Sequence, residues 1–237
     1  MKIAIALVAA AGILVPASPA LADTPAPVAV VARWDFNAGS AAGKIVDTSG
    51  KGVTLSVRSA DQGVLRFEAG TVIFPAGCAA AATTCARGLM EAPDNANLNP
   101  GTRLFNWSAR VNVTKAQLSG SANIMQKGVA GTGSQWKLQL GATNGRAQCV
   151  VTGTGSATPY IARSDISVTD GQWHKLYCQR SGTTLSVQID GAVHGSTTIP
   201  ATLSISNTSP LRVGGANFNL RSDMYHGTLD DVYAELG

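Results

Sequence analysis

Between residues 170 and 191 apolar and polar side chains trade places at every second position. Leu185, Val187 and Ile189 share one phase and Ser186 and Gln188 the other. That period of two predicts a strand with one buried and one wet face. Residues 173–180 repeat the pattern, with His174, Leu176 and Cys178 opposite Lys175, Tyr177 and Gln179. Asp170-Gly171, Ser181-Gly182 and Asp190-Gly191 carry turn chemistry, because Gly accepts positive φ and Asp bonds its own backbone. A third strand over 192–196 would complete an antiparallel meander.

The same alternation recurs along the chain. Val30, Ala32, Trp34 and Phe36 mark a strand over 28–36, and Phe105, Trp107, Ala109, Val111 and Val113 one over 104–113. Shorter strands are expected over 53–57, 64–67, 72–74, 88–91, 122–128, 135–140, 146–152, 210–213 and 228–236. Residues 153–169 and 214–227 read as long connections. No stretch combines helical period with helical length. Short strands with frequent turns predict an all-β fold, a two-sheet antiparallel β-sandwich of the jelly-roll kind.

The first residues stand outside this pattern. Lys2 precedes the apolar run 3–15, and Ala20-Leu21-Ala22 is a small-residue cleavage site, so residues 1–22 read as an export signal. Residues 23–27 are expected to be a mobile leader and 28–237 a single domain. No later run is apolar enough to span a membrane, so an extracellular protein is expected. The formal charge of +4 is spread without a basic cluster, which excludes a nucleic-acid partner. Four cysteines in an exported chain predict two disulfides. Cys78 and Cys85 flank a short loop, and Cys149 and Cys178 lie in strands expected to be neighbours, so these are the expected pairs. Zinc has no support, since no Cys-x-x-Cys occurs and the histidines are not spaced near the cysteines.

The run Asp170-Gly171-x-Trp173-His174, closing on Ile189-Asp190-Gly191, resembles the laminin-G-like branch of the concanavalin A-like lectin/glucanase superfamily. Trp34-Asp35-Phe36 with Asp47-Thr48-Ser49-Gly50-Lys51-Gly52 is similar to the family's opening. Leu211–Gly215 and His226–Val232 are similar to its closing strands. The resemblance implies a sandwich of two packed sheets and leaves the activity open.

Glycoside hydrolysis needs two carboxyl groups set across a sugar-binding face. Past the export signal the glutamates are Glu68, Glu91 and Glu235, and none lies in the Glu-x-Asp-x-x-Glu spacing of the glucanase branch. Adjacent Asp230 and Asp231 leave a strand on opposite faces. No Gly-x-Ser-x-Gly elbow accompanies His174, His194 or His226. The expectation is a secreted, non-catalytic module binding carbohydrate or a surface glycoconjugate. A hydrolase or lyase with a dispersed acid pair is one alternative, and an adhesive envelope protein binding another protein is the other. The loop 214–227 has a sugar site's composition in Asn217, Phe218, Asn219, Arg221, Asp223 and Tyr225. Asp230 shares the phase of Val232, Ala234 and Leu236, so its carboxylate is expected to face the core and need a partner. Calcium held by Asp230 and Asp35 would supply one. Asn106, Asn112 and Asn207 head Asn-x-Ser/Thr triplets.

Overall fold

The computed structural model describes residues 27–78, 82–219 and 223–237. The expected export signal and residues 23–26 of the leader lie outside them. Among the described residues there is no α-helix, and the chain runs through strands β1 (Ala29–Trp34), β2 (Lys44–Ile45), β3 (Leu55–Ala60), β4 (Arg66–Glu68), β5 (Thr71–Ile73), β6 (Arg87–Ala92), β7 (Phe105–Thr114) and β8 (Ala122–Val129). It continues through β9 (Ser134–Leu140), β10 (Arg146–Thr152), β11 (Tyr160–Ser167), β12 (Asp170–Ser181), β13 (Thr184–Ile189), β14 (Ala192–Thr198), β15 (Leu211–Val213) and β16 (Thr228–Leu236). One sheet has the order β14-β13-β12-β7-β16-β5-β4, with β1 also on β16. The other has the order β11-β10-β9-β8-β15-β6-β3-β2. All pairings are antiparallel. The architecture is the expected two-sheet jelly roll.

The core forms where the alternating apolar phases of the two sheets meet. Leu185, Val187 and Ile189 are buried, as are all five alternating residues of β7. Phe105, Trp107 and Trp136 form an aromatic knot with ring centroids 5.1–5.7 Å apart. Trp34 and Trp136 are buried whole, because each indole N–H finds a carbonyl, on Val53 at 2.9 Å and Leu98 at 3.0 Å.

Several expectations need correction. The connection 153–169 contains a full strand, β11, paired with β10. Asp170-Gly171 is no turn. It is a bulge inside β12, where the pairing with β7 shifts between Asp170 and Trp173 and Gly171 takes φ +80°. A second bulge, between Val30 and Ala32, removes Val30 from the buried phase and buries Val31 instead.

Both expected disulfides are formed, Cys78–Cys85 and Cys149–Cys178. The second does not join neighbouring strands. Cys149 lies on β10 and Cys178 on β12, so the bond crosses the core from sheet to sheet. It closes a segment with a sequence separation of 29. Replacing both cysteines with alanine is expected to lower stability by about 3 kcal/mol through the freed unfolded chain. The midpoint of urea denaturation measures this, and a shift worth under about 1 kcal/mol would refute it.

Candidate functional site

The described parts of the loop, 214–219 and 223–227, pack against the outer face of the sheet that carries β8, β9 and β15. Gly214 starts it at φ +89°, and an added Cβ would lie 1.9 Å from the Phe74 ring, so only glycine fits this departure from β15. The loop is then pinned from below. The Arg87 Nε–H donates to the Phe218 carbonyl at 3.0 Å, and Arg212 donates to the Ala216 carbonyl at 3.0 Å. The guanidinium groups of Arg58 and Arg87 lie 4.7 and 4.9 Å from the Phe218 ring centre. Phe218 is therefore a latch holding the loop to the sheet by cation–π contacts, rather than a platform open to a sugar.

Tyr225 is a second correction. Its side chain is fully buried, edge-on to Phe74 at 5.4 Å, and its hydroxyl donates to the Thr228 carbonyl at 3.1 Å. Burial pushes its phenol well above the ordinary value. It is a core residue. Asn219 donates its backbone N–H to the Asn217 side chain at 3.0 Å, which shapes the loop tip. Arg221 lies outside the described residues.

Asn217 and Asp223 do reach a site. With Gln126 on β8 and Gln135 and Lys137 on β9 they line an open depression of about 280 Å³. Asp223 is anchored at φ +54° by its carbonyl, which accepts the Asn123 N–H at 2.9 Å. Lys137 is half-buried. Desolvation lowers its pKa, and the charge of Asp223 opposes that shift.

The floor of the depression is formed by the amides of Gln126 and Gln135, and Gln139 lies further along the same outer face. Gln126, Gln135 and Gln139 point away from the core yet are only 4–8% exposed, so this face is recessed. Gln126 and Gln135 both donate to the Gly128 carbonyl, at 2.8 and 3.2 Å. Gly128 sits at φ +81°, with no room for a Cβ against the Ser134 carbonyl. Gln139 donates to Gln148 at 2.7 Å, and Asn123 donates to Gln126 at 2.5 Å. The buried Asn123 Oδ1 has no partner among the described residues. Such a surface offers fixed donors and acceptors with little charge, which suits hydroxyl-rich ligands. The alternation in 135–140 already placed Gln135, Lys137 and Gln139 on one face in the sequence. What it could not supply was the register that sets Gln126 and the loop beside them.

The metal expectation loses its premise. A bulge lies between Asp230 and Tyr233, with Asp231 at φ +44°, and it turns Asp230 outward. The Asp230 carboxylate pairs with Arg110 at 2.9 Å and also accepts the Asp231 N–H at 2.6 Å. Asp231 pairs with Arg33 at 2.8 Å. Asp35 accepts the N–H of Asn37 at 3.2 Å. Among the described residues no three His, Cys, Asp or Glu side chains gather at one point.

The histidines are occupied as well. His174 bridges the carboxylates of Asp190 at 2.7 Å and Asp170 at 3.2 Å, which explains why two Asp-Gly pairs bracket it. Burial would lower its pKa, but the two carboxylates outweigh that and raise it. His194 pairs with Asp165 at 2.7 Å, and His226 with the Pro75 carbonyl at 2.8 Å. Glu91 is held by Arg212 at 2.8 Å and Arg58 at 3.2 Å, and Glu68 lies 3.6 Å from Arg66. Asn106, Asn112 and Asn207 each donate their side-chain amide within the fold, to Glu235, Gly171 and Ser134.

The geometry thus defines a disulfide-crossed β-sandwich with a recessed, amide-floored face under one loop. A model of the concanavalin A-like lectin/glucanases superfamily, Laminin_G_3, matches residues 87–234, and the chain belongs to that family. No curated protein matches the chain. Among solved structures it is similar to domain 4 of the extracellular arabinanase AbnA from Geobacillus stearothermophilus, determined in complex with arabinotriose, at 15% identity and TM-score 0.66 over 89% of this chain and 93% of that one. It is also similar to the type C botulinum neurotoxin structure described for its interaction with two ganglioside molecules, at 11% identity and TM-score 0.62 over 87% of this chain. A third similar structure is the binding domain of botulinum neurotoxin DC in complex with SialylT, at 11% identity and TM-score 0.61 over 87% of this chain. The chain spans about half, 47%, of each neurotoxin chain.

Proposed function

We propose that the protein is a secreted, non-catalytic module that binds glycans on the recessed face beneath the loop 214–227. The observation that carries this reading is the amide floor of Gln126 and Gln135, closed on one side by Lys137, Asn217 and Asp223. Three of the similar structures are described with a sugar, with gangliosides or with SialylT, which supports the class of ligand. Two disulfides support export, because such bonds persist in oxidising compartments. The non-catalytic part rests on the carboxyls. Glycosidic cleavage needs one with a raised pKa as general acid. Each carboxyl whose pKa is clearly moved here, on Asp47, Asp94, Asp165, Asp170 and Asp190, is moved down.

Affinity should be modest. A hexose of about a dozen non-hydrogen atoms at about 0.3 kcal/mol each gains about 4 kcal/mol, near the millimolar range. A glycan array should give hits that weaken about fivefold or more in Lys137→Ala and in Asp223→Asn, since each removes about 1 kcal/mol of polar contact. A parallel arm with chelator tests the calcium expectation. An array without hits, or hits indifferent to both substitutions, would refute this site. Release of reducing sugar from a bound polysaccharide would refute the non-catalytic reading.

A further inference from the structure

The opposite side of the sandwich carries a second constellation that the glycan reading above does not use. Register alone assembles it. On the outer face of the other sheet Gln188, Tyr177, Ser108, Tyr233 and Arg33 stand side by side on β13, β12, β7, β16 and β1. Ser108 is the small member of the row and is buried between the two tyrosines. Its hydroxyl is turned down to the Leu176 carbonyl at 2.7 Å. Along β12, Lys175, Tyr177 and Gln179 follow one another on this face at the two-residue repeat of about 6.7 Å. A depression of about 250 Å³ is lined by Lys175, Tyr177, Gln179, Gln188 and Gly191. A smaller one of about 160 Å³ adjoins it and shares Lys175.

The charges of this face decide what it would take. Arg33 is paired with Asp231 at 2.8 Å and Arg110 with Asp230 at 2.9 Å. Glu235 accepts from Asn106 at 3.1 Å and from the Tyr177 hydroxyl at 3.3 Å. Asp190, at the rim, accepts from His174 and from the Lys175 backbone N–H, both at 2.7 Å. Lys175 alone among these cations has no carboxylate partner among the described residues. Its ammonium lies 5.3 Å from the centre of the Tyr233 ring. It is also the one charged side chain lining the larger depression. Burial and the neighbouring Glu235 raise the Tyr177 phenol, so it stays an O–H donor and its ring a neutral stacking surface. An aromatic face, two amides and one unpaired ammonium in an open hollow match a sugar ring that carries a carboxylate.

We infer that this face is a second binding site, for a uronic acid unit of an acidic glycan. The ring stacks on Tyr177, the carboxylate meets Lys175, and Gln179 and Gln188 hold hydroxyls. The two sites lie on opposite sheets, so one domain can hold two glycan chains at once.

The test is calorimetric titration of the full chain with tetragalacturonate, and with cellotetraose as the neutral counterpart. Tetragalacturonate is expected to bind, to weaken about tenfold in Lys175→Gln, and to weaken at least about tenfold in Tyr177→Ala. The loss with Lys175→Gln should persist in the Lys137→Ala background, which separates this site from the one beneath the loop. Lys175 is exposed, so its substitution keeps the fold even where Tyr177→Ala does not. Failure of tetragalacturonate to bind, disappearance of the Lys175→Gln loss in the Lys137→Ala background, or binding indifferent to Lys175→Gln would each overturn the proposal.

Discussion

Lys127→Met is expected to destabilise the protein by about 1–3 kcal/mol, the usual cost of leaving partly buried hydrogen-bond acceptors without their donor. Lys127 stands opposite Trp136 on the core side of β8 and is fully buried. Its ammonium donates to the Asp94 carboxylate at 2.8 Å, to the Asn99 side chain at 2.8 Å and to the Asn207 carbonyl at 2.5 Å. Asn99 in turn donates to Asp94 at 3.1 Å and accepts the Asn207 N–H at 3.1 Å. One tethered cation thus ties the turn before β7 to the loop before β15. Burial pulls its pKa down, and Asp94 opposes that shift. Methionine fills the same space with no proton to give, so these oxygens lose their common donor. Urea denaturation measures the loss. In a double-mutant cycle with Asp94→Asn the pair should couple, the second substitution costing less once the first is made. A loss under about 1 kcal/mol, or strict additivity, would show that the cluster is incidental.

Lys127 also shows where reading the sequence stops. Alternation placed the strands well: β10 and β16 fall on the residues expected, and the apolar phases of β7 and β13 are buried throughout. In β8 the apolar phase of Ala122 and Ile124 would leave Lys127 in water, and the bulge between Asn123 and Met125 turns it to the buried side with Met125. Bulges were the blind spot. A period of two holds only while each residue opposes one partner, and the inserted residues at Val30, Asp170 and Asp230 break it. That is why Asp230 was expected to face the core and instead meets Arg110. β11 was missed because it follows a glycine- and proline-bearing stretch and alternates poorly, with the small residues Ala162 and Ser164 at its buried positions.

The binding faces were legible only in fragments. Composition drew attention to the loop 214–227, and the structure keeps Asn217 and Asp223 from it while spending Phe218 and Tyr225 on holding it in place. Gln126, Gln135 and Lys137 come from two strands, and Tyr177, Gln188, Ser108 and Tyr233 from four. Their side-chain phases can be read from sequence, but the register of the β8–β9 and β12–β13 hairpins and the long-range pairings of β7 with β12 and β16 cannot. Register is a property of the assembled sheet.

Asp47→Ala should cost about 4 kcal/mol at neutral pH, because three charge-assisted hydrogen bonds of about 1.5–3 kcal/mol each are lost together and less than additively. The Asp47 carboxylate is buried and accepts the backbone N–H groups of Arg33, Ser49 and Val53, all at 2.9 Å. It thereby folds the loop Asp47-Thr48-Ser49-Gly50-Lys51-Gly52 against β1. Val53 completes the link, since its carbonyl receives the Trp34 indole N–H at 2.9 Å. Burial alone would raise the Asp47 pKa, but Ser49 and the backbone donors outweigh that and lower it. A lowered folded value means that the contribution is fully present above the unfolded pKa of about 3.9 and is lost as pH falls through the folded value. The gap between the wild type and Asp47→Ala should therefore be constant from pH 7 to about 5 and narrow below about pH 4, as the wild-type carboxylate takes up its proton. Urea midpoints across that range measure it, and a gap that stays constant down to the acid limit would show that packing, and not the negative charge, holds the loop.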